Sequence, residues 1–258
     1  MGSQTFFSGK VADDIDGNTF ISELAAAGVD FHNATPEPGI TGKCLVMVTV
    51  DAERTMNTFL GASAELSKRE IDESALVNSE WLYIEGYLAT SVKHAEMATD
   101  TIQLAKTAGV KVALSLSDPF VVEAYKDNLR KMIGPGINLI FCNKAESIAF
   151  TGTSNGDEVS SELSKYAECH VITYGADGVK CFDGERAIFS DGVKVDAIDT
   201  NGAGDMFAGA FLFAITSGKD YQWATDFGNV CASRVVQKFG PRLDRKEFEM
   251  LKNQYELQ

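Results

Sequence analysis

Three small residues closed by an acid, Gly202, Ala203, Gly204 and Asp205, stand directly ahead of the apolar stretch MFAGAFLFAI. This stretch predicts a helix that begins near Asp205, where the first turn has unpaired N–H groups and the positive end of the helix dipole. Small residues let an anion approach those N–H groups closely. A carboxylate beside the anion can accept a proton from a hydroxyl group. An anion cradle next to a base is what phosphoryl transfer to an alcohol requires.

The same tetrad also has a purely structural interpretation. Asp205 would favour the start of a helix through its charge, and the glycines would form a tight turn between a strand and that helix. The sequence KVDAID predicts the strand over 194–199. Taken alone, the tetrad leaves both interpretations open.

Two other stretches place polar residues directly after apolar strands. NKAE follows INLIFC and places Asn143 at a strand end and Glu146 one turn into the next helix. These side chains suit a hydrated magnesium ion and phosphate oxygens, although Asn followed three residues later by Glu is also a capping box. TYGADG follows a second apolar strand and offers Thr173 and Gly175 at the same edge, or simply forms a turn.

Strands and helices alternate along most of the chain. A helix is predicted over about 91–108 and a strand over 110–117, and INLIFCN is apolar throughout, as in a strand covered on both faces. Three helices follow near the C-terminal end, at about 205–217, 221–238 and 244–256. The alternation predicts an α/β fold with a doubly wound, mostly parallel sheet. Such sheets bind ligands at the carboxyl ends of their strands.

One region breaks this rhythm. Residues 41–60 predict two strands around a turn at Asp51–Arg54, which would form a lid hairpin over a site at the strand ends. Thr41 and Gly42, at the entry to the hairpin, are candidates to line an acceptor pocket. Glu85 ends the apolar strand WLYIE at the same edge. It is either a contact for a substrate hydroxyl group or a solvated acid at the strand end.

Composition limits the partners and the compartment. The 258 residues carry a formal net charge of −14, which repels nucleic acids and anionic membranes. No apolar run approaches the roughly 18 residues that span a membrane, and no signal peptide is visible. The five cysteines are widely spaced without a CxxC pair, which favours reduced thiols in a cytoplasmic protein. We therefore expect a small-molecule partner rather than nucleic acid or a membrane.

The sequence DTNGAGDMFAGAF, preceded by NKAE and TYGADG in this order, resembles the ribokinase-like (PfkB) family of carbohydrate and nucleoside kinases. The resemblance runs from 9–29 to 240–243, and EGYLAT and LSLSDPFVVEAYKDNLRKMI are most similar to adenosine kinases. It implies one three-layer α/β/α domain over 1–258 with a small β lid at 30–62. It also implies an enzyme that uses ATP and Mg²⁺ to phosphorylate a hydroxyl group of an adenosine-like nucleoside or a ribose-type sugar.

The resemblance implies roles for individual residues. Asp205 would be the base, and the backbone N–H groups of Gly202, Ala203 and Gly204 would form the anion hole. The other implied ligands lie at or near the strand ends: Asn143, Thr173, Gly175 and Asn229 for the nucleotide, Glu146 and Asp199 for magnesium through water, and Thr200 beside Asp199 for the cation environment.

The chain departs from the family pattern at its start. Family members have an additional first strand with a substrate-binding Asp, part of the lid and a Gly-Gly/Asn segment, and MGSQTFF begins after this region. We expect nucleotide binding to persist and acceptor binding to be weaker. Exposed surface near Phe6 and Phe7 is expected to favour a homodimer. Two alternatives remain, namely a sugar or sugar-phosphate kinase of the same family and a truncated, weakly active nucleotide-binding remnant.

Overall fold

The computed structural model describes residues 2–32, 37–49 and 54–255. The strands are β1 (Thr5–Ser8), β2 (Val29–His32), β3 (Lys43–Val48), β4 (Arg54–Phe59), β5 (Trp81–Glu85), β6 (Lys111–Ser115), β7 (Ile137–Asn143), β8 (Ala167–Thr173), β9 (Gly178–Phe182) and β10 (Ala187–Asp191). The α-helices are α1 (Ile15–Ala26), α2 (Glu73–Val77), α3 (Val92–Thr107), α4 (Pro119–Ile133), α5 (Lys144–Thr151), α6 (Gly156–Leu163), α7 (Ala203–Thr216), α8 (Tyr221–Val235) and α9 (Arg245–Gln254).

A six-stranded mixed sheet forms the centre of the molecule, in the order β10-β9-β8-β7-β6-β5. Strands β5 to β8 are parallel, whereas β9 and β10 are antiparallel to their neighbours. Parallel neighbours need crossover connections, and α3, α4 and the pair α5–α6 supply them. The predicted doubly wound, mostly parallel sheet is therefore confirmed.

Helices cover both faces of this sheet. Along β7, Ile140 and Cys142 pack in one apolar cluster with α3, α4, α5 and α6, and Leu139 and Phe141 pack in a second cluster with α7 and α8. Successive side chains of a strand point to opposite faces, so a strand buried on both sides must be apolar throughout. This explains the unbroken run INLIFC and gives the three layers α/β/α.

The helix α7 is fixed to the sheet by aromatic packing. Phe211 is fully buried, and its ring centroid lies 5.5 Å from that of Phe141 on β7 and 5.4 Å from that of Tyr221 on α8. Ala208 and Ala214 are buried on the same helix and let it lie close to the sheet. Because this packing is rigid, the first turn of α7 has a defined position above the strand ends.

The prediction of a strand over 194–199 is wrong. This segment has no regular secondary structure and pairs with none of the described strands, and Val195 and Ile198 are 36% and 43% exposed. Its backbone turns instead to α8, since the N–H groups of Ile198 and Asp199 donate to the carbonyl of Val236 at 2.7 and 3.2 Å. The chain must cross from the edge strand β10 to the start of α7, and this path leaves the sheet.

The strand predicted over 110–117 is shorter than expected. β6 ends at Ser115 because Ser117 adopts a left-handed backbone conformation with φ of 71°, which is incompatible with an extended strand. The helix predicted from Asp205 begins two residues earlier, at Ala203.

Two small sheets accompany the large one. β1 and β2 are parallel, and β3 and β4 form the expected antiparallel hairpin with Lys43 opposite Phe59. Residues 51–53 of the predicted turn lie outside the described residues. Phe6 and Phe7 on β1 are 37% and 41% exposed, but the homodimer remains a prediction. Among the described residues, no helix is long and apolar enough to cross a membrane.

The packing of α7 predicts a large effect for Phe211→Ala. We expect the free energy of unfolding to fall by about 3–5 kcal/mol, because the substitution leaves a cavity between the helix and the sheet. Phe239→Ala is a matched control, since Phe239 is 76% exposed, and it should change stability by at most about 0.5 kcal/mol. Urea unfolding measures both variants, and equal losses would contradict this account of the core.

Candidate active site

The first turn of α7 is shaped by a glycine that no other residue can replace without strain. Gly202 caps the helix with φ of 76°, and a Cβ atom there would lie 2.4 Å from the carbonyl oxygen of Pro241. At Gly204 a Cβ atom would meet no heavy atom within 4 Å. The turn is therefore tightly packed on the Pro241 side and open at Gly204. An anion can approach the start of the helix from that open side.

A buried carboxylate holds this turn in place. Asp199 is 4% exposed, and its Oδ1 accepts the N–H of Asn201 at 2.8 Å while its Oδ2 accepts the N–H of Gly240 at 3.0 Å. Each carboxylate oxygen thus has a backbone partner. Asp199 joins the segment before α7 to the loop after α8, which brings Gly202 against Pro241.

The charge of the candidate base acts on a second carboxyl group. Asp205 lies exposed in the first turn of α7, and Glu85 is half-buried at the carboxyl end of β5. Burial raises the pKa of the Glu85 carboxyl, and the negative charge of Asp205 raises it further. The pKa of Tyr83 is also raised, mainly by burial, with smaller contributions from Glu85 and Asp205. The structure therefore brings Glu85 and Asp205 together.

Asn143 and Glu146 form the capping box that the sequence left open. The Glu146 carboxylate accepts the backbone N–H of Asn143 at 2.9 Å and its side-chain amide at 2.6 Å, and Asn143 caps the N–H of Glu146 in return. Glu146 is 5% exposed. Thr173 is the register partner of Asn143, so both polar residues end neighbouring strands at one edge. Gly175 follows in a left-handed conformation with φ of 60°, and a Cβ atom there would meet nothing within 4 Å.

Asn229 connects α8 to the edge of the sheet. It is 7% exposed, and its side-chain amide donates to the carbonyl of Asp191 at 2.6 Å and to Oγ of Ser190 at 3.3 Å. Asp191 ends β10 and so begins the segment that leads to α7. Together with the Val236 carbonyl, Asn229 thus holds this segment against α8 at both ends.

Thr41 and Gly42 lie at the base of the hairpin, and their contacts are with that base and with α1. The Thr41 hydroxyl accepts the N–H of Ala12 at 3.1 Å and donates to Oδ1 of Asp14 at 2.6 Å. The Thr41 hydroxyl, with the backbone N–H groups of Thr41 and Gly17 that also donate to Asp14, lowers the pKa of Asp14 to about 2. A Cβ atom at Gly42 would lie 2.6 Å from the carbonyl oxygen of Leu60. Both residues therefore fix how the hairpin joins the domain, and their role in an acceptor pocket stays a prediction.

Sequence reasoning missed a polar network beside Glu85. The Ser117 hydroxyl donates to Oε2 of Glu85 at 3.0 Å, and Tyr83 is hydrogen-bonded to both Glu85 and Ser115. The motif LSLS contains both serines but does not show that one of them adopts a positive φ. Within 2–32, 37–49 and 54–255, no group of three or more His, Cys, Asp or Glu side chains is arranged to hold a metal ion.

Comparison with known proteins agrees with this architecture. The model of the pfkB family of carbohydrate kinases matches residues 1–247. A ribokinase of Haemophilus influenzae is 30% identical over 249 residues, which cover 93% of this chain and 78% of the relative. The crystal structure of an adenosine kinase from Sinorhizobium meliloti superposes with a TM-score of 0.93 at 30% identity, covering 98% of this chain and 78% of the other. The ribokinase-like fold is therefore confirmed.

A solved structure from Escherichia coli that contains ATP and Mg²⁺ is also similar. Its TM-score is 0.87 at 20% identity, and the match covers 98% of this chain and 84% of that chain. At this level of identity the likeness concerns the fold alone.

The two glycines of the turn provide a matched pair of substitutions. Gly202→Ala should lower the free energy of unfolding by roughly 1–3 kcal/mol or more, because the new methyl group meets Pro241 and the backbone is left-handed. Gly204→Ala should be neutral or stabilising by up to about 1 kcal/mol, since alanine is the better helix former and the space is open. Urea unfolding of both variants tests the packing, and similar stabilities would show that the turn is not held against Pro241.

Proposed function

The chain belongs to the pfkB family of carbohydrate kinases, and on this basis we propose that it transfers the γ-phosphoryl group of ATP to a hydroxyl group of an adenosine-like nucleoside. One observation carries the proposal: the open start of α7, with Gly204 unobstructed, lies next to Asp205, whose charge acts on Glu85. An anion-binding turn and a carboxylate on the same helical turn provide the two groups that this reaction needs.

In the proposed reaction, Asp205 acts as the general base. Its carboxylate accepts the proton of the acceptor hydroxyl as the oxygen attacks the γ-phosphorus of ATP. The new O–P bond forms while the bond between the γ-phosphorus and the bridging oxygen of ADP breaks, and ADP leaves with that electron pair. The backbone N–H groups of Gly202, Ala203 and Gly204 stabilise the charge on the phosphoryl oxygens.

The nucleotide and its metal would lie along the strand ends. Thr173 and Gly175 would contact phosphate or ribose, and the open space around Gly175 supports this assignment. The segment that Asn229 holds against α8 would border the base. Mg²⁺ neutralises phosphate charge when it is bound.

The metal is proposed to enter with the nucleotide, because the described residues offer no cluster of metal ligands. Asn143 and Glu146 would orient its water molecules, and Asp199 would act only indirectly. This fits Asp199, whose oxygens already accept two backbone N–H groups.

Two aromatic rings favour a nucleoside over a simple sugar as the acceptor. Tyr87 directly follows β5 and is 43% exposed, and Phe120, in the first turn of α4 after β6, is 66% exposed. Both follow strands that end beside Glu85, and exposed rings suit the flat face of a base. A ribose-type sugar remains the second candidate, because the Glu85 carboxylate can accept hydrogen bonds from sugar hydroxyls. An ADP-release screen with adenosine and with D-ribose distinguishes the two acceptors.

Asp205→Asn tests the base. Turnover should fall on the order of 10²–10⁴-fold, because asparagine cannot accept the proton, whereas ATP affinity measured by calorimetry should change little. Asp127→Asn, on the exposed surface of α4, is the matched control and should keep full turnover. Near-normal turnover in a folded Asp205→Asn variant would rule out this role.

Glu146→Gln tests the metal assignment. Glutamine keeps one oxygen to accept the backbone N–H of Asn143 and loses the acceptor for the Asn143 side-chain amide. The lost charge should raise the magnesium concentration required for half-maximal turnover. Glu123→Gln, exposed on α4, controls for the change of charge. If the magnesium titrations of Glu146→Gln and the unmodified chain coincide, Glu146 is only a helix cap.

A further inference from the structure

Ser117 is the only non-glycine residue with a positive φ in the described part of the chain. Its φ of 71° lies in the left-handed region, which L side chains other than Asn and Asp rarely adopt. Such strain persists only where the surroundings over-determine it, and it concentrates at functional sites. Ser117 follows β6 at the carboxyl edge of the sheet, next to the end of β5.

The strained backbone directs the hydroxyl group of Ser117 into a defined network. Its Oγ donates to Oε2 of Glu85 at 3.0 Å and accepts the N–H of Gly86 at 2.8 Å, and the N–H of Ser117 itself donates to Oγ of Ser115 at 3.1 Å. A Cβ atom at Gly86 would lie 2.6 Å from the carbonyl oxygen of Ser115, so the ends of β5 and β6 approach closely here. The hydroxyl therefore fixes the position of one carboxylate oxygen of Glu85.

We propose that Ser117 is a positioning residue of the acceptor site, which orients Glu85 to receive a second hydroxyl group of the acceptor beside the one that Asp205 deprotonates. The inference rests on the proposed function and deepens it, because it names the acceptor chemistry as two neighbouring hydroxyl groups. A carboxylate oxygen held in place can accept such a hydrogen bond without the entropy cost of ordering the side chain first.

The titratable groups that act on Glu85 are Tyr83 on the same strand and Asp205 on α7. Burial and Asp205 raise the pKa of Glu85, whereas the hydrogen bonds from Ser117 and Tyr83 lower it. Removal of the Ser117 hydroxyl should therefore raise the pKa of Glu85. The carboxylate would then form only at higher pH, and acceptor binding would weaken on the acid side.

Two substitutions separate the hydroxyl from the backbone strain. Ser117→Ala removes the hydroxyl and keeps the strained backbone, whereas Ser117→Gly removes the hydroxyl and relieves the strain. The control is Ser79→Ala, because the Ser79 hydroxyl donates to the carbonyl of Ala75 ahead of β5, away from the carboxyl ends of the strands. NMR titration of the Glu85 carboxyl carbon and steady-state kinetics with adenosine and with D-ribose are measured for all four proteins.

We expect Ser117→Ala and Ser117→Gly to raise the KM for adenosine roughly three- to tenfold, with kcat and the KM for ATP within about twofold of the unmodified chain. The Glu85 titration and the acid limb of kcat/KM for adenosine should both move to higher pH, and Ser79→Ala should change neither. An unchanged Glu85 titration, an unchanged KM for adenosine, or an effect in Ser117→Ala alone would overturn the proposal.

The experiment also separates this inference from the proposed function. If the unmodified chain phosphorylates neither adenosine nor D-ribose, the proposed function fails, and an acceptor role for Ser117 fails with it. If the unmodified chain turns over adenosine and both Ser117 variants have the same KM for adenosine as the unmodified chain, the proposed function stands and the positioning role is wrong.

Discussion

The buried carboxylate of Asp199 is the interaction on which the geometry of the site depends. A buried charge is costly unless it is fully hydrogen-bonded, and here both oxygens accept backbone N–H groups, from Asn201 and from Gly240. Two segments 41 residues apart in the chain are thereby joined. These two hydrogen bonds hold Gly202 against Pro241. This contact sets where α7 begins and the direction of its first N–H groups. The position of Asp205 follows from the same constraint.

The opposite side of the crevice is fixed by different means. α7 is held by apolar packing beneath it and by a carboxylate at its start, whereas the ends of β5 and β6 are joined by a hydroxyl on a strained backbone. Packing positions a helix along its whole length, but it does not orient a single carboxylate at a strand end. Glu85 is oriented by hydrogen bonds from Tyr83 and Ser117, so the precision at this point comes from the polar network.

The sequence predicted most of the architecture, because apolar periodicity and glycine positions are local signals. The unbroken run INLIFCN identified a central strand, and the strand–helix alternation identified the sheet. The prediction failed over 194–199, where KVDAID resembled a strand but the backbone donates to the carbonyl of Val236 at the end of α8. Tertiary context of this kind has no local signature. Ser117 was missed for the same reason, since a serine with positive φ is dictated by its neighbours and not by its own preference.

The pair Glu85 and Asp205 shows why the network around Glu85 matters in an acidic chain. Two carboxylates close together resist simultaneous ionisation, and burial adds to this effect at Glu85. Asp205 is exposed on the first turn of α7, at the positive end of the helix dipole. A base must be ionised before it can accept a proton, so the proposed mechanism requires a negative charge on Asp205. That charge raises the pKa of Glu85. The hydroxyl groups of Tyr83 and Ser117 donate to the Glu85 carboxylate and lower its pKa. These hydrogen bonds oppose, without cancelling, the rise in the pKa of Glu85 that burial and Asp205 cause.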